Sequence, residues 1–102
     1  MRAKSAWEIA EGTRDGSISP VETVEALFER IGEHDIEIKA FITTTKKLAI
    51  EQAKEIEKKR KAKQKLGRLA GVPIAVKDNI CTQGIETTCA SKILFLECRC
   101  YL

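Results

Sequence analysis

Apolar residues in the first half of this chain recur at helical spacing, and polar residues fill the intervals. Val21, Val24, Leu27, Phe28 and Ile31 fall on one stripe, the recurrence by which a helix turns a single face to a core. Ser19-Pro20-Val21-Glu22 marks its start, with Ser as cap, Pro at the first helical position and Glu at the third. The segment 32–35, beginning at Gly32, is predicted to end it. A shorter helix precedes it: Ser5-Ala6-Trp7-Glu8 has capping-box form, and Asp15-Gly16-Ser17 breaks the helix. A third helix, capped by Thr44 or Thr45, carries Leu48, Ala49, Gln52, Ala53 and Ile56 on one face, with Gly67 as its stop.

Between and after the helices the pattern changes. Ala40-Phe41-Ile42-Thr43-Thr44 is rich in β-branched and aromatic residues and predicts a short strand. Residues 71–80 predict a second strand, Thr82-Gln83-Gly84 a turn, and 90–94 the first turn of another helix. The order of helix, helix, strand, helix, strand is an α/β pattern that stops early. One or two isolated strands do not complete a sheet with two covered faces.

Composition narrows the picture. A chain of 102 residues suffices for one small domain, and it buries a smaller fraction of its surface than a larger one does. The aromatics are Trp7, Phe28, Phe41, Phe95 and Tyr101, so a core must rest on Leu, Ile, Val and Ala. The net charge of +3 is too small to imply a polyanion partner. Most of the excess lies in Lys58-Lys59-Arg60-Lys61-Ala62-Lys63-Gln64-Lys65. That run reads as a solvated helix face. The alternative is a small basic module that binds RNA or a partner, although no aromatics are interleaved for base stacking. No apolar stretch is long enough to span a membrane, and Met1-Arg2-Ala3-Lys4 is not followed by a signal-peptide core, so the cytoplasm is the expected compartment. Cys81, Cys89, Cys98 and Cys100 form no C-x-x-C pair, and His34 is the one imidazole. No metal site is expected, and the thiols are expected to be reduced.

Lys77 carries the candidate chemistry. It ends the apolar run Gly71-Val72-Pro73-Ile74-Ala75-Val76 and is followed by Asp78-Asn79. At the end of a buried strand its ammonium would be desolvated, which favours the neutral amine that a general base requires. The plainer reading is a strand-end lysine paired with Asp78 or another acid. A base also needs a nucleophile nearby. The candidates are Thr87, Thr88, Ser91 and the cysteines, none of which sits in a G-x-S-x-G elbow or a glycine–serine-rich loop.

The stretch Gly67-Arg68-Leu69-Ala70-Gly71-Val72-Pro73-Ile74-Ala75-Val76-Lys77-Asp78-Asn79-Ile80, followed by Gly84-Ile85-Glu86-Thr87-Thr88-Cys89-Ala90-Ser91-Lys92-Ile93-Leu94, resembles the lysine segment of the amidase signature family. Thr87 to Leu94 makes it most similar to the branch of glutamyl-tRNA(Gln) amidotransferase A subunits, with a general amidase as the in-family alternative. Ser17-Ile18-Ser19-Pro20-Val21-Glu22 and Ala40-Phe41-Ile42-Thr43 resemble the same branch more loosely. The resemblance implies the first elements of an α/β/α sandwich, truncated, and a Ser–cis-Ser–Lys relay in which Lys77 is the general base. It implies glutamine as substrate and ammonia passed to a B subunit, where Glu-tRNA(Gln) becomes Gln-tRNA(Gln). A C subunit braces the pair. ATP and Mg are used by the B subunit, and no cofactor is expected on this chain.

The family's glycine–serine-rich signature, which holds both serines, has no counterpart in these 102 residues. The expected organisation is a helical segment with one short strand over 1–66, the start of an amidase core over 67–94, and a divergent tail over 95–102. That tail, Phe95-Leu96-Glu97-Cys98-Arg99-Cys100-Tyr101-Leu102, reads as the mark of a frameshift or gene fragment. The chain is therefore expected to be an N-terminal piece without activity of its own, poorly soluble or partly disordered because its sheet is unfinished.

Overall fold

The computed structural model describes residues 3–92. Its regular elements are three helices: α1 (Ala6–Asp15), α2 (Pro20–Ile38) and α3 (Lys46–Lys61).

The helix starts follow from local chemistry. Ser5 and Glu8 form the reciprocal capping box, with the Glu8 N–H donating to Ser5 Oγ at 3.2 Å and the Ser5 N–H to Glu8 Oε2 at 2.7 Å. Ser19 Oγ accepts from the Glu22 N–H, with Pro20 at the first helical position. Thr45 stands at the α3 N-cap, but its hydroxyl makes no capping bond.

Two helix ends differ from expectation. Helix α2 runs through Gly32 to Ile38, where Lys39 turns left-handed at φ 54° and donates its N–H to the Asp35 carbonyl at 2.7 Å. A single helical glycine weakens a helix without ending it, and no heavy atom other than its neighbours lies near Gly32. The Asp35 carboxylate accepts from Ala40 N–H at 2.7 Å, which fixes the exit. Helix α3 ends at Lys61, not Gly67. Lys63 takes the left-handed conformation at φ 55°, Gln64 N–H reaches Lys59 O, and Lys63 N–H reaches Arg60 O. These are the paired bonds of a Schellman cap.

The two predicted strands, 40–44 and 71–80, are not formed among the described residues. A strand's backbone groups are satisfied by a neighbour, and neither segment has one. One isolated antiparallel bridge, Thr82 to Ile85, flanks the predicted turn at Gly84. Ile74, Val76 and Ile80 remain more than half exposed. The α/β class is thus not shown by the described residues, which form helices and a long irregular segment. Of the helical turn expected over 90–94, Ala90 lies outside it at φ 57°, and 93–94, like the tail at 95–102, fall outside the described residues.

The core is small. Helices α2 and α3 pack together, and the buried apolar residues are Ala10, Val24, Ala53 and Ala70. Of the α2 stripe, Val24 is buried; Val21, Phe28 and Ile31 are half-buried, and Leu27 stays exposed. Helix α1 holds the turn that leads into the lysine segment. Its Arg14 guanidinium donates to the carbonyls of Gly67 at 3.0 Å and Arg68 at 2.8 Å. Thr13, fully buried, lies against Gly71, whose φ of 81° and lack of a Cβ allow that approach.

Candidate active site

Val72 to Lys77 leave the α1 contact as irregular chain, and Lys77 opens a turn closed by the Ile80 N–H on its carbonyl at 3.0 Å. The Lys77 side chain is exposed. This corrects the expectation of a lysine drawn into an apolar strand end: without a sheet around 72–77, nothing desolvates the amine. The plainer expectation fails as well. Lys77 forms no ion pair among the described residues, because the neighbouring carboxylate is engaged elsewhere.

Asp78 faces away toward residues 88–90. Its Oδ1 accepts from the Thr88 N–H at 3.1 Å, and its Oδ2 accepts from the Thr88 hydroxyl and from the Ala90 N–H at 2.9 Å. Its carbonyl accepts from the Cys89 N–H at 3.1 Å. The Thr88 hydroxyl above all, then the Ala90 and Thr88 N–H groups, hold this carboxyl below its ordinary value. Such donors favour the ionised form. The Thr87 hydroxyl donates to Ile80 O at 3.3 Å, and both threonines are buried.

These bonds decide between the candidate nucleophiles. Thr87 and Thr88 are committed to holding the 78–90 loop closed. Ser91 is half-buried, and its N–H donates to Thr88 O at 2.8 Å. Cys81 and Cys89 are free thiols on the surface; Cys98 and Cys100 lie outside the described residues. No described residue is arranged with Lys77 as a nucleophile–base pair. The basic run is divided: Lys58, Lys61, Lys63 and Lys65 are exposed, while Arg60 turns inward against Gly16 with its Nε buried and without a partner. No helix among the described residues is long and apolar enough to cross a membrane.

Sequence reasoning missed Asp78, Thr88 and Arg14 as organising residues. From the sequence, Asp78 reads only as a counter-ion for its neighbour. The available signal was a buried-type Thr-Thr pair ten residues after an aspartate, flanked by a glycine turn.

Known proteins define the class to which this lysine segment belongs. The Amidase family model matches residues 22–97, and the chain belongs to the amidase family. More particularly, it is similar to glutamyl-tRNA(Gln) amidotransferase A subunits. It is 48% identical over 87 residues to the subunit of Natranaerobius thermophilus, covering 85% of this chain and 18% of the relative. It is 54% identical over 80 residues to that of Symbiobacterium thermophilum, covering 78% and 16%. With the subunit of Chlamydia pneumoniae it shares 43% over 94 residues, covering 92% and 19%. The chain therefore spans less than a fifth of the length of these curated relatives. No solved structure matches it.

Proposed function

We propose that this chain corresponds to the lysine-bearing portion of an amidotransferase A subunit, with Lys77 as the general base of a Ser–cis-Ser–Lys amidase site. The reading is carried by the identity to A subunits over most of the chain. It is supported by the absence of a carboxylate on Lys77 among the described residues, since an ion pair would favour the protonated amine and oppose the base role. In the complete site the amine takes a proton from a serine, that serine deprotonates the nucleophilic serine, and the nucleophile attacks the carboxamide of glutamine. Ammonia, protonated through the relay, leaves as the carbon–nitrogen bond breaks and the acyl-enzyme forms, and water then hydrolyses the acyl-enzyme to release glutamate. The ammonia serves the conversion of Glu-tRNA(Gln) to Gln-tRNA(Gln) on a B subunit that uses ATP and Mg, with a C subunit bracing the assembly. These 102 residues contain no glycine–serine-rich segment to supply either serine, so the chain by itself turns over no glutamine.

Two assays test this. The purified chain is expected to show no glutaminase activity, and turnover abolished by Lys77→Ala would contradict the incomplete-site reading. In the second, residues 22–92 replace the matching stretch of the Symbiobacterium thermophilum subunit. The chimera is expected to hydrolyse glutamine and to lose about a hundredfold or more with Lys77→Ala, the usual range for a general base. A chimera that tolerates Lys77→Ala overturns the base assignment.

A further inference from the structure

We propose that Asp78 is a positioning residue for Lys77: by tying three consecutive N–H groups to itself, it closes the 78–90 loop and keeps its own carboxylate away from the lysine amine. The proposal rests on the reading of Lys77 as the base and adds how that amine is placed and kept unpaired. The geometry is specific. Thr88 N–H goes to Oδ1, Cys89 N–H to the Asp78 carbonyl, and Ala90 N–H to Oδ2, with the Thr88 hydroxyl as a further donor to Oδ2.

Successive N–H groups converge in this way only when the backbone departs from extended or right-handed helical form. Cys89 and Ala90 do so, at φ 47° and 57°. Consecutive N–H groups so arranged make a concavity for an anion, and here the anion is the carboxylate of the chain itself. Non-glycine residues hold such angles only when surrounding bonds over-determine them. The Ile80 carbonyl, taken by the Thr87 hydroxyl, closes the loop a second time.

Two consequences for Lys77 follow. The turn from Lys77 to Ile80 is held by the Ile80 N–H on the Lys77 carbonyl and by the loop neck at Asp78, so the backbone that carries the lysine is placed without a surrounding sheet. The carboxylate next in sequence, an obvious counter-ion, accepts from three neutral donors, with both lone-pair sites of Oδ2 taken. An aspartate left unclamped at 78 would be free to pair with the amine.

The test uses the full 102-residue chain. Amide exchange is followed by NMR at Thr88, Cys89 and Ala90, together with the acylation rate of Lys77 against Lys92 as internal reference. Asp78→Ala is expected to raise exchange at Thr88 and Ala90 by about tenfold or more, the loss of charge-assisted bonds. Asp78→Asn keeps the size and one acceptor oxygen, so it is expected to expose one of Thr88 and Ala90 while leaving the other protected; it also reports if Asp78→Ala unfolds. Thr88→Val, which frees part of the carboxylate, is expected to slow acylation at Lys77 and not at Lys92. A general loosening of the loop would not produce that selective slowing. Equal exchange at Thr88 and Ala90 in the parent and Asp78→Asn chains, or a Lys77 rate that follows Lys92 in Thr88→Val, overturns the proposal. None of these readouts depends on turnover, so the base assignment can fail in the chimera while the clamp stands, and the reverse.

Discussion

In the helical part of the molecule each element closes on itself. Helices α1 and α2 carry serine caps, α2 and α3 end on left-handed lysines, and the carbonyls left over are met within a few residues. Beyond Val72 the chain has no such internal solution. Ile74, Ala75 and Val76 run exposed without a ladder, and order returns only where Asp78 reaches across to residues 88–90. A helix is specified by neighbours in sequence, whereas a strand is specified by a partner that its own residues do not encode. The chain therefore carries finished helices beside an irregular, exposed segment.

That contrast can be broken or sharpened by substitution. The largest effect is expected where the two parts meet. Gly71→Ala places a methyl 2.8 Å from Thr13 Cγ2 in a backbone that disfavours any side chain, which should cost about 2–4 kcal/mol in urea unfolding. A cost near zero would mean that the 67–71 turn does not pack on α1. Arg14→Met removes two bonds to the Gly67 and Arg68 carbonyls and should cost about 1–2 kcal/mol, with amide exchange rising at 69–72 before it rises in α2. Ser19→Ala removes one helix cap and should cost about 1 kcal/mol, read as lost helicity confined to α2.

Acid should separate the regions by a smaller, local effect. The Asp78 carboxyl titrates below its ordinary value in the folded chain, so its contribution is complete above the unfolded carboxylate value, about 3.9. It fades as pH falls through the folded value. Protection at Thr88 and Ala90 should therefore still be present at about pH 4 and be lost only as pH falls through the lower, folded value; loss near neutrality would contradict the clamp. The smallest effect is expected for Lys59→Gln. The pair with Glu55, 2.8 Å apart, is solvent-exposed, and such pairs add little, so the unfolding midpoint should not move measurably.

The difference between the regions also explains what the sequence made legible. Ser5, Ser19 and Pro20 announce helix starts because capping chemistry is complete within four residues. Gly32 and Gly67 mislead because a glycine permits a stop without requiring one, and lysines at 39 and 63 adopt the left-handed turns instead. Residue type predicts strands at 40–44 and 71–80, but type alone cannot supply the neighbour that makes a ladder. The residues around Lys77 mark it in the sequence, and its expected burial fails for the same reason as the strands. The Asp78 clamp and the Thr13–Gly71 contact join residues ten to fifty-eight positions apart, and no local period records them.

The grip of Arg14 on Gly67 and Arg68 has a consequence for what counts as one molecule. The chain passes from α3 to that turn only through the exposed lysines at 63 and 65, which are ready sites for a trypsin-like protease. Scission there would cut the covalent path and leave the contacts of α1 with the turn as the link between the fragments; the two Arg14 bonds alone, about 1–2 kcal/mol, fall short of the roughly 4 kcal/mol of even a millimolar complex.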